Sequence, residues 1–513
     1  MNQNSCFALQ HRGSTWSSTL FGRALIAGCA ALFGTVALLA QEAGPGGGSS
    51  QKDRHTSQRD GQVERISNRL PQGALPSAAP GHAESSLWAE GRWVGGAIQN
   101  GAVTTLVYDF WKSEKGIWEG RLEVPQNFEK GIVVTGLDIQ GSALQLDAPG
   151  RAKAQASFHS RSGDLVGTVE GEGFRHPLFL RRIGPPRPEG ATSKPFPVKS
   201  GQLRLAAELI LPPGDGPFPA LIYFHGRSVG ARGQFTAFAK RLAEEGIAAL
   251  IFDRRGEGQS QGDKETAGIW DYIEDGVAIV KAALEREELD PKRLGLISWS
   301  AGGWVTPAVA NRQKGIDHLI LRVAPAERLS LQQKHVTRYR PRQAPFTEDQ
   351  LSRVAGHTED VMRYALGELT WEELLARQAS FDGTALAPII LRVEDPNDPD
   401  FDWLRRFEHD HESELSRLKI PVLALYGERD FVVPPQVNVP KLKAALERAG
   451  NQSYRIGTLP GVGHNLTLPA LSAPQEGEAA VEGMSATFPS RLAPGYVDAL
   501  LQWLDARGFL NLR

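Results

Sequence analysis

The chain has 513 residues, of which 41% are hydrophobic, and 57 basic against 59 acidic residues give it a formal net charge of −2. Nucleic-acid binding relies on a surplus of positive charge, so this balance predicts no nucleic-acid partner. The length predicts two or three domains. Both cysteines, Cys6 and Cys29, precede residue 30, so the remaining chain can form neither a disulfide nor a cysteine metal site.

An uncharged apolar run occupies residues 24–40, and Arg12 and Arg23 precede it. The run is shorter than the roughly twenty apolar residues that a membrane span needs. A positive start followed by an apolar centre is typical of a secretory signal peptide. We therefore predict a signal peptide over residues 1–40 and an exported protein, periplasmic or secreted, with no stable membrane association once the signal is removed. A lipid on Cys29 and an uncleaved anchor are the alternatives.

The next two segments differ sharply in composition. Residues 41–85 are rich in Gly, Pro, Ser, Gln and charge, which predicts a disordered linker. Residues 86–184 contain short runs of alternating polar and apolar residues about ten positions apart, a pattern typical of a small β-sandwich or barrel. Its aromatic residues could line a ligand site, but we interpret them as core. They are Trp93, Tyr108, Phe110, Trp111 and Trp118.

Proline-rich residues 185–195 predict a stiff linker to a larger domain over residues 196–513. There, apolar strand patterns alternate with helical patterns, which predicts a parallel sheet covered on both faces. A polar and mostly helical stretch, about 327–415, interrupts this alternation. We predict that it forms a cap over the sheet edge and shapes a pocket there.

A strand pattern at Leu294–Ile297 leads into Ser298-Trp299-Ser300-Ala301-Gly302 and then into a helical pattern. A serine at such a strand-to-helix turn is held in a strained conformation with its hydroxyl exposed above the sheet. Gly302 suits the close passage of strand and helix, whereas Ser298 stands where the usual pattern has glycine. We predict that Ser300 is a nucleophile.

A nucleophilic serine needs a base and a carboxylate that orients the base. On a doubly wound sheet these residues follow later strands in the order serine, acid, histidine. Asp430 follows the predicted strand Pro421–Tyr426, and Glu428 in the same turn is the alternative acid. His464 follows the next strand and is the predicted base. We interpret two cap histidines, His409 and His411, as solvated.

The segment His225-Gly226-Arg227 follows the first central strand. A His-Gly pair at this position marks a loop whose backbone donates to an oxyanion. We assign the two oxyanion donors to the backbone N–H groups of Arg227 and Ala301. The turn Asp253–Ser260 follows the next strand, and we interpret it as structural. Four cap residues could meet an anionic substrate or form a solvated helix face, namely Arg338, Tyr339, Arg340 and Arg342.

With these motifs in this order, residues 196–513 resemble an α/β-hydrolase. The resemblance implies an α/β fold, a doubly wound and mostly parallel sheet with a helical cap insertion, here preceded by a small all-β domain. Trp299 and the pair Gly302-Gly303 resemble the dienelactone hydrolase and prolyl oligopeptidase branches. The β region is similar to the small domain that precedes the hydrolase domain in some exported bacterial esterases.

The family resemblance implies a carboxylic ester, thioester or amide as substrate, without a cofactor or metal. The leading hypothesis is a serine carboxylesterase that acts on small-molecule esters through an acyl-enzyme. A peptidase of the prolyl oligopeptidase type is less favoured, because about a hundred residues are too few for its usual β-propeller. An acyl transferase or thioesterase and a non-catalytic binding protein are further alternatives. The sequence gives no indication of an oligomeric state.

Overall fold

The computed structural model describes residues 86–99, 102–148, 152–171, 174–187, 190–227, 230–340, 342, 345–468, 491–493 and 495–510. The predicted signal peptide (1–40) and disordered linker (41–85) lie outside these residues. No helix within the described ranges is long and apolar enough to cross a membrane.

The first domain is a closed barrel of eight antiparallel strands, which confirms the predicted small all-β domain. The strands are β1 (Gly91–Gln99), β2 (Ala102–Lys112), β3 (Trp118–Val124), β4 (Glu129–Gln140), β5 (Ala143–Ala148), β6 (Ala152–His159), β7 (Asp164–Gly171) and β8 (Phe174–Gly184). Pairing of β8 with β1 closes the barrel, so no strand edge stays open. Trp93, Tyr108 and Phe110 belong to its buried core, whereas Trp111 and Trp118 are partly exposed.

An eight-stranded mixed sheet forms the centre of the second domain. The following strands are β9 (Thr192–Pro195), β10 (Val198–Ser200), β11 (Leu203–Leu205), β12 (Ala207–Leu211), β13 (Phe218–Phe224), β14 (Ala248–Phe252), β15 (Leu289–Trp299), β16 (His318–Arg322), β17 (Val422–Gly427), β18 (Tyr454–Leu459), β19 (Thr467–Leu468) and β20 (Arg491–Leu492). The sheet has the order β18-β17-β16-β15-β13-β14-β12-β9, in which β12 is antiparallel to both of its neighbours, β14 and β9, and the other neighbouring strands are parallel. Two-stranded ribbons pair β10 with β11 and β19 with β20.

Helices cover both faces of this sheet, as predicted for a doubly wound fold. They are α1 (Thr236–Glu244), α2 (Ile269–Leu284), α3 (Gly302–Arg312), α9 (Pro435–Arg448) and α10 (Tyr496–Asp505), with α4 to α8 in the cap. One hydrophobic core lies between the sheet and α2, α3 and α9, and a second between the sheet and α1 and α10. Because both faces are covered, every residue of β14, β16 and β17 is buried.

The cap lies between β16 and β17 in the chain. Its helices are α4 (Leu329–Tyr339), α5 (Glu348–Ala365), α6 (Trp371–Ala379), α7 (Pro399–Phe407) and α8 (His411–Leu415). Thr347 and Thr370 cap the amino ends of α5 and α6 by accepting backbone N–H groups, which satisfies donors that have no partner inside the helix. Val361, Met362 and Leu374 are buried in the same hydrophobic core as α2 and α3. The cap is therefore packed into the core of the second domain and is not a separate lid.

Candidate active site

Ser300 lies at the sharp turn between β15 and α3. Its φ of 47° places a non-glycine residue in the left-handed region, where contact of the side chain with its own backbone costs about 1–2 kcal/mol. Backbone hydrogen bonds hold the turn on both sides. Ser300 N–H donates to the carbonyl of Arg322 at 2.9 Å, and Gly303 N–H donates to the carbonyl of Ser300 at 2.7 Å. The serine thus has the conformation expected of a strained elbow.

Small residues allow α3 to pass close to the ends of the neighbouring strands. A Cβ atom on Gly302 would lie 2.7 Å from the carbonyl oxygen of His225 and 3.2 Å from the Cβ of Ser298. A Cβ atom on Gly303 would lie 2.4 Å from the Cβ of Ala324. Because Gly302 has no side chain, the turn accommodates Ser298 at the position where the usual pattern has glycine.

The buried side chain of Arg322 packs against Trp299, the residue that precedes Ser300. The guanidinium of Arg322 lies 4.6 Å from the ring centroid of Trp299, the residue before the elbow serine. Its Nη1 donates to the hydroxyl of Tyr496 at 2.8 Å, and the residue is 6% exposed. A cation over an aromatic face is attractive, and more so where water is excluded. The contact therefore fixes the plane of Trp299.

The structure brings Ser300, His464 and Asp430 together, although they are far apart in the chain. His464 Nε2 lies 2.9 Å from Ser300 Oγ, and His464 Nδ1 lies 2.9 Å from Asp430 Oδ2. A carboxylate accepts hydrogen bonds, so the proton of a neutral His464 belongs on Nδ1. Nε2 then presents its lone pair to the serine hydroxyl. In this arrangement the imidazole can remove a proton from Ser300.

Asp430 is 2% exposed, and its carboxylate is fully engaged. Oδ1 accepts the backbone N–H groups of Val432 at 2.9 Å and Val433 at 2.8 Å, while Oδ2 faces the histidine. Hydrogen bonds of this kind stabilise the ionised form of a buried carboxylate. Glu428, the alternative acid of the sequence, instead accepts the N–H of Gly461 at 2.7 Å.

The acid turn and the histidine loop approach each other at Gly427. A Cβ atom there would lie 2.3 Å from the carbonyl oxygen of Gly463, so a larger residue would push the two segments apart. The backbone N–H of Arg429 also donates to the carbonyl of Val462 at 2.9 Å. The positions of Asp430 and His464 are therefore fixed relative to each other by backbone contacts.

Both predicted oxyanion donors lie on segments next to Ser300. Ala301 precedes α3, and its N–H donates to no backbone carbonyl among the described residues. A Cβ atom on Gly226 would lie 3.5 Å from Ser300 Cβ and 2.9 Å from the Trp299 ring, so the loop that carries Arg227 borders the serine. Residues 228–229, which follow Arg227, lie outside the described residues.

Arg254 braces this loop, a role that the sequence interpretation missed. Its Nη1 donates to the carbonyl of Gly226 at 2.7 Å, and its Nη2 donates to the carbonyl of Arg227 at 3.0 Å. Glu257 holds the same guanidinium through Nε at 2.9 Å. His225 lies in the buried loop beside Phe235 and Phe252, and burial lowers its pKa well below the usual range, so its ring stays neutral.

The Arg227 side chain reaches from the loop to cap helix α7. Its guanidinium lies 4.2 Å from the ring centroid of Trp403. Arg227 is exposed to solvent by its surface area, although the neighbouring protein partly desolvates its guanidinium. This desolvation lowers the pKa of Arg227 to about 10, which the nearby Asp400 partly opposes. The group therefore stays positively charged near neutral pH and links the oxyanion loop to the cap.

The two cap histidines are buried, so their interpretation as solvated residues was wrong. His411 Nε2 lies 3.0 Å from the carbonyl oxygen of Pro325, and burial lowers the pKa of His411 to about 3. His409 packs against His411 and Trp270. A residue pattern dominated by neighbouring acids suggested a solvated surface, but the segment between α7 and the start of α8 buries both rings.

The four cap residues Arg338, Tyr339, Arg340 and Arg342 line a cavity of about 400 Å³. Arg338 donates to Ser352 at 2.8 Å and forms an ion pair with Glu348, and Arg342 donates to backbone carbonyls at the end of α4. These bonds give two of the arginines a structural role.

No group of three His, Cys, Asp or Glu residues with metal-site geometry occurs among the described residues.

Residues 216–364 match the family model of serine aminopeptidases, S33. Esterase EstD of Thermotoga maritima is 25% identical over 272 residues, which cover 51% of this chain and 57% of that protein. The quorum-quenching protein AidA of Acinetobacter baumannii is 32% identical over 105 residues, or 20% of this chain and 34% of that protein. The chain therefore matches less than two thirds of the length of these relatives.

Among solved structures, an esterase of Pyrococcus furiosus has a TM-score of 0.35 at 19% identity, covering 52% of this chain and 83% of that one. Independently of that comparison, the doubly wound sheet, the elbow conformation of Ser300 and the helical cap after β16 are the features expected of an α/β-hydrolase fold. Together with the sequence model that matches residues 216–364 and the esterase relative, they support an α/β-hydrolase fold for the second domain.

Proposed function

We propose that this protein is a serine carboxylesterase with Ser300, His464 and Asp430 as its catalytic triad. The observation that carries the proposal is the continuous hydrogen-bonded path from Ser300 Oγ through the imidazole to the Asp430 carboxylate, with both distances 2.9 Å. A binding protein needs no such path, whereas a hydroxyl nucleophile needs a base and an oriented base needs a carboxylate.

In the first half of the reaction, Ser300 Oγ attacks the ester carbonyl carbon while His464 Nε2 takes the hydroxyl proton. The carbonyl oxygen becomes an oxyanion, which the backbone N–H groups of Ala301 and Arg227 would stabilise. Such donors typically contribute about 3–4 kcal/mol each to lowering the barrier. Protonated His464 then gives its proton to the leaving alcohol, and an acyl-enzyme on Ser300 remains.

In the second half, water replaces the alcohol. His464 removes a proton from the water, the resulting hydroxide attacks the acyl carbon, and the second tetrahedral intermediate collapses with return of the proton to Ser300. Asp430 stabilises the imidazolium in both halves without taking a proton itself. Its two backbone donors, Val432 and Val433, favour the ionised carboxylate that this role requires.

Small-molecule carboxylic esters are the substrates we propose, which is supported by the match to an esterase over 51% of this chain. The cap follows β16 at the carboxyl edge of the sheet, where ligands of such folds bind, and its Trp403 contacts Arg227 in the loop that borders Ser300. We propose that the cap selects the acyl and alcohol groups, while the strand ends carry out the chemistry.

Hydrolysis of p-nitrophenyl acetate and butyrate by the purified protein tests the proposal. We expect turnover that is abolished in Ser300→Ala and retained in Ser416→Ala, a serine outside the site. An acyl-chain series then defines the preference. Absence of ester hydrolysis by a folded wild-type protein would exclude the esterase and leave a binding protein or an enzyme for another acyl group.

Amide hydrolysis is a second candidate, because the matching family model describes serine aminopeptidases. A prolyl oligopeptidase architecture is not favoured, since the described N-terminal domain is a single closed barrel of eight strands. Aminoacyl p-nitroanilides compared with the corresponding esters separate the two candidates. A higher kcat/KM for the anilides would favour the peptidase, and acyl transfer to added alcohol or thiol would favour a transferase.

We also propose that the protein is exported by means of the signal peptide over residues 1–40. The apolar run at 24–40 and its preceding arginines support this proposal. Mass spectrometry of protein from its native host should show a mature chain that starts near Gln41. An intact Met1 or a lipid on Cys29 would contradict it.

A further inference from the structure

The barrel contacts the hydrolase domain through the turn between β3 and β4. This turn contains a short 3-10 helix, Pro125–Asn127, followed by Phe128. Phe128 packs against Phe238 of α1 with ring centroids 5.3 Å apart, and the guanidinium of Arg241 lies 4.9 Å from the Phe128 ring centroid. The turn is therefore anchored on α1 by buried aromatic contacts.

Asn127, at the end of this turn, binds the segment that precedes α10. Its side chain is buried, at 6% exposed, and Oδ1 accepts the backbone N–H of Leu492 at 3.2 Å. Leu492 pairs with Thr467 in the β19–β20 ribbon, and the next residue, Ala493, donates its N–H to the carbonyl of Leu466 at 2.8 Å. Through Leu492 and Ala493, the Asn127 side chain is thus linked to Leu466 and Thr467, two and three residues after His464.

Leu466 has a conformation that its own sequence does not favour. Its φ is 54°, it is fully buried, and its N–H donates to the carbonyl of Gly463 at 3.1 Å. A non-glycine residue in the left-handed region persists only where the surroundings fix it. Those surroundings include the barrel, because Phe128, Leu466 and Ala493 belong to one buried hydrophobic cluster. The same φ region recurs at Phe128, with φ of 53°.

We propose that the barrel is an intramolecular support that positions His464, with Asn127 and Phe128 as the positioning residues. The proposal rests on the proposed function for the catalytic role of His464. A base misplaced by about 1 Å can cost on the order of a hundredfold in rate. Asn127 of the barrel holds Leu492 in place. Leu492 and Ala493 in turn hold the backbone of residues 466–467, and the position of that backbone determines where the His464 imidazole lies relative to Ser300.

The chain offers a matched control within the same turn. Gln126 Nε2 donates to Thr105 Oγ1 at 2.9 Å, so its carboxamide bonds within the barrel rather than across to the hydrolase domain. Gln126→Leu and Asn127→Leu therefore remove the same kind of group from adjacent residues. Asn127→Asp is the conservative variant, because a carboxylate oxygen can still accept the Leu492 N–H.

Kinetics with p-nitrophenyl acetate test the positioning role. We expect Asn127→Leu to lower kcat about 10- to 100-fold with KM changed less than about threefold. Asn127→Asp and Gln126→Leu should keep kcat within about threefold of the wild type. Equal loss in Asn127→Leu and Gln126→Leu would mean that the turn serves stability alone and would overturn the proposal.

Hydrogen exchange on the full chain tests the coupling without any activity. Amides of residues 463–468 should exchange faster in Asn127→Leu than in the wild type, and should be unchanged in Gln126→Leu. If wild-type protein hydrolyses no ester but these amides respond, the proposed function fails while the structural coupling holds. If Asn127→Leu changes neither the exchange rates of amides 463–468 nor kcat, the barrel does not position His464.

Phe128→Gly provides a second route if Asn127→Leu fails to fold. Glycine accepts the left-handed conformation of residue 128, so the turn can persist while the aromatic contact with Phe238 is lost. We expect a kcat decrease and faster exchange at 463–468, as for Asn127→Leu. Full wild-type kcat in folded Phe128→Gly would contradict the role of this contact.

Discussion

Glu428 Oε2 accepts the backbone N–H of Gly461 at 2.7 Å, so this carboxylate supports the turn that leads into the histidine loop. Asp430, two residues later, lies beside the imidazole of His464 and is buried. Two acids of one turn therefore have different tasks. Glu428 holds the backbone that carries His464, and Asp430 holds the His464 ring itself.

This division predicts losses of very different size for two isosteric substitutions. Asp430→Asn keeps the size of the side chain but removes the charge that stabilises the imidazolium and favours the wrong tautomer of His464. We expect kcat for a chromogenic ester to fall by about 10³–10⁴-fold. Glu428→Gln retains an oxygen that can accept the Gly461 N–H, so kcat should fall less than about tenfold.

Steady-state kinetics with circular dichroism as a folding control check both variants. Near-full activity of Asp430→Asn together with inactive Glu428→Gln would assign the acid to Glu428 and contradict the geometry described above.

Arg254 predicts a second kinetic effect, through the oxyanion loop. Its guanidinium donates to the carbonyls of Gly226 and Arg227, and a methionine at this position would leave both without that donor. The loop would then hold the Arg227 N–H less precisely toward the oxyanion. We expect Arg254→Met to lower kcat by about 10- to 100-fold with a small change in KM, since oxyanion contacts act mainly in the transition state.

Arg286→Met is the control for Arg254→Met, because Arg286 pairs with Glu288 at 2.7 Å and lies outside the loop. Comparable kcat loss in the control would mean that removal of any paired arginine disturbs the domain. Unchanged kcat in Arg254→Met would mean that the loop holds its shape without this brace.

Local sequence patterns predicted the sheet well. The predicted strand pattern Leu294–Ile297 lies within strand Leu289–Trp299 of the structure, and the predicted strand Pro421–Tyr426 is Val422–Gly427. Continuous apolar runs of this length have few other ways to be buried, so they determine strands locally. The strand-end positions of Ser300, Asp430 and His464 followed from the order of these strands.

Contacts between distant segments could not be predicted in this way. Asn127 and Leu492 are 365 residues apart, and nothing in the local pattern of either residue indicates the other. In the sequence, Arg254 looks like any other polar residue of a turn. Its acceptors are backbone carbonyls of a different loop, which no local pattern indicates. His409 and His411 lie among acidic residues, and only the packing of α7 and α8 against the core decides that they are buried.

A pH-dependent stability is expected from the ion pair between Asp317, which directly precedes β16, and Arg507, which follows α10. Asp317 accepts Arg507 Nε at 2.6 Å and Nη2 at 2.9 Å, and His318 Nδ1 at 2.8 Å. Burial alone would raise the pKa of Asp317, but these hydrogen bonds outweigh it and lower the pKa to about 2. A carboxyl group with a lowered folded-state pKa stabilises the protein above its unfolded pKa of about 4, and this contribution disappears as pH falls toward 2.

We therefore expect Asp317→Asn to lower the free energy of unfolding at pH 7 by about 2 kcal/mol. The difference from the wild type should shrink as the pH falls below about 4. Denaturant unfolding of both proteins at pH 7, 4 and 3 measures it. Asp290→Asn, at a more exposed pair with Arg293, should have a smaller effect at pH 7. A difference for Asp317→Asn that is constant with pH would assign its effect to packing rather than to charge.

The contact between Arg227 and Trp403 predicts that the cap influences catalysis on even the smallest ester. The Trp403 ring lies under the guanidinium of the residue whose N–H is a proposed oxyanion donor. A cation–π contact of this kind contributes about 0.5–2 kcal/mol. Its loss can therefore destabilise the loop conformation that presents the Arg227 N–H by a similar free energy. Trp403→Ala should lower kcat for p-nitrophenyl acetate by roughly 2- to 30-fold. Trp403→Phe keeps an aromatic face and should lose less.

Trp371→Ala is the matched control for Trp403→Ala. It removes a cap tryptophan that packs against Tyr364, with ring centroids 5.2 Å apart, and not against the oxyanion loop. We expect this control to lower the melting temperature without a comparable change in the kcat of the folded protein. If Trp403→Ala changed only the KM of bulky esters and left acetate turnover intact, the cap would act in substrate selection alone. If Trp371→Ala and Trp403→Ala lowered kcat equally, general loosening of the cap would explain both, and the specific link from α7 to the oxyanion loop would be wrong.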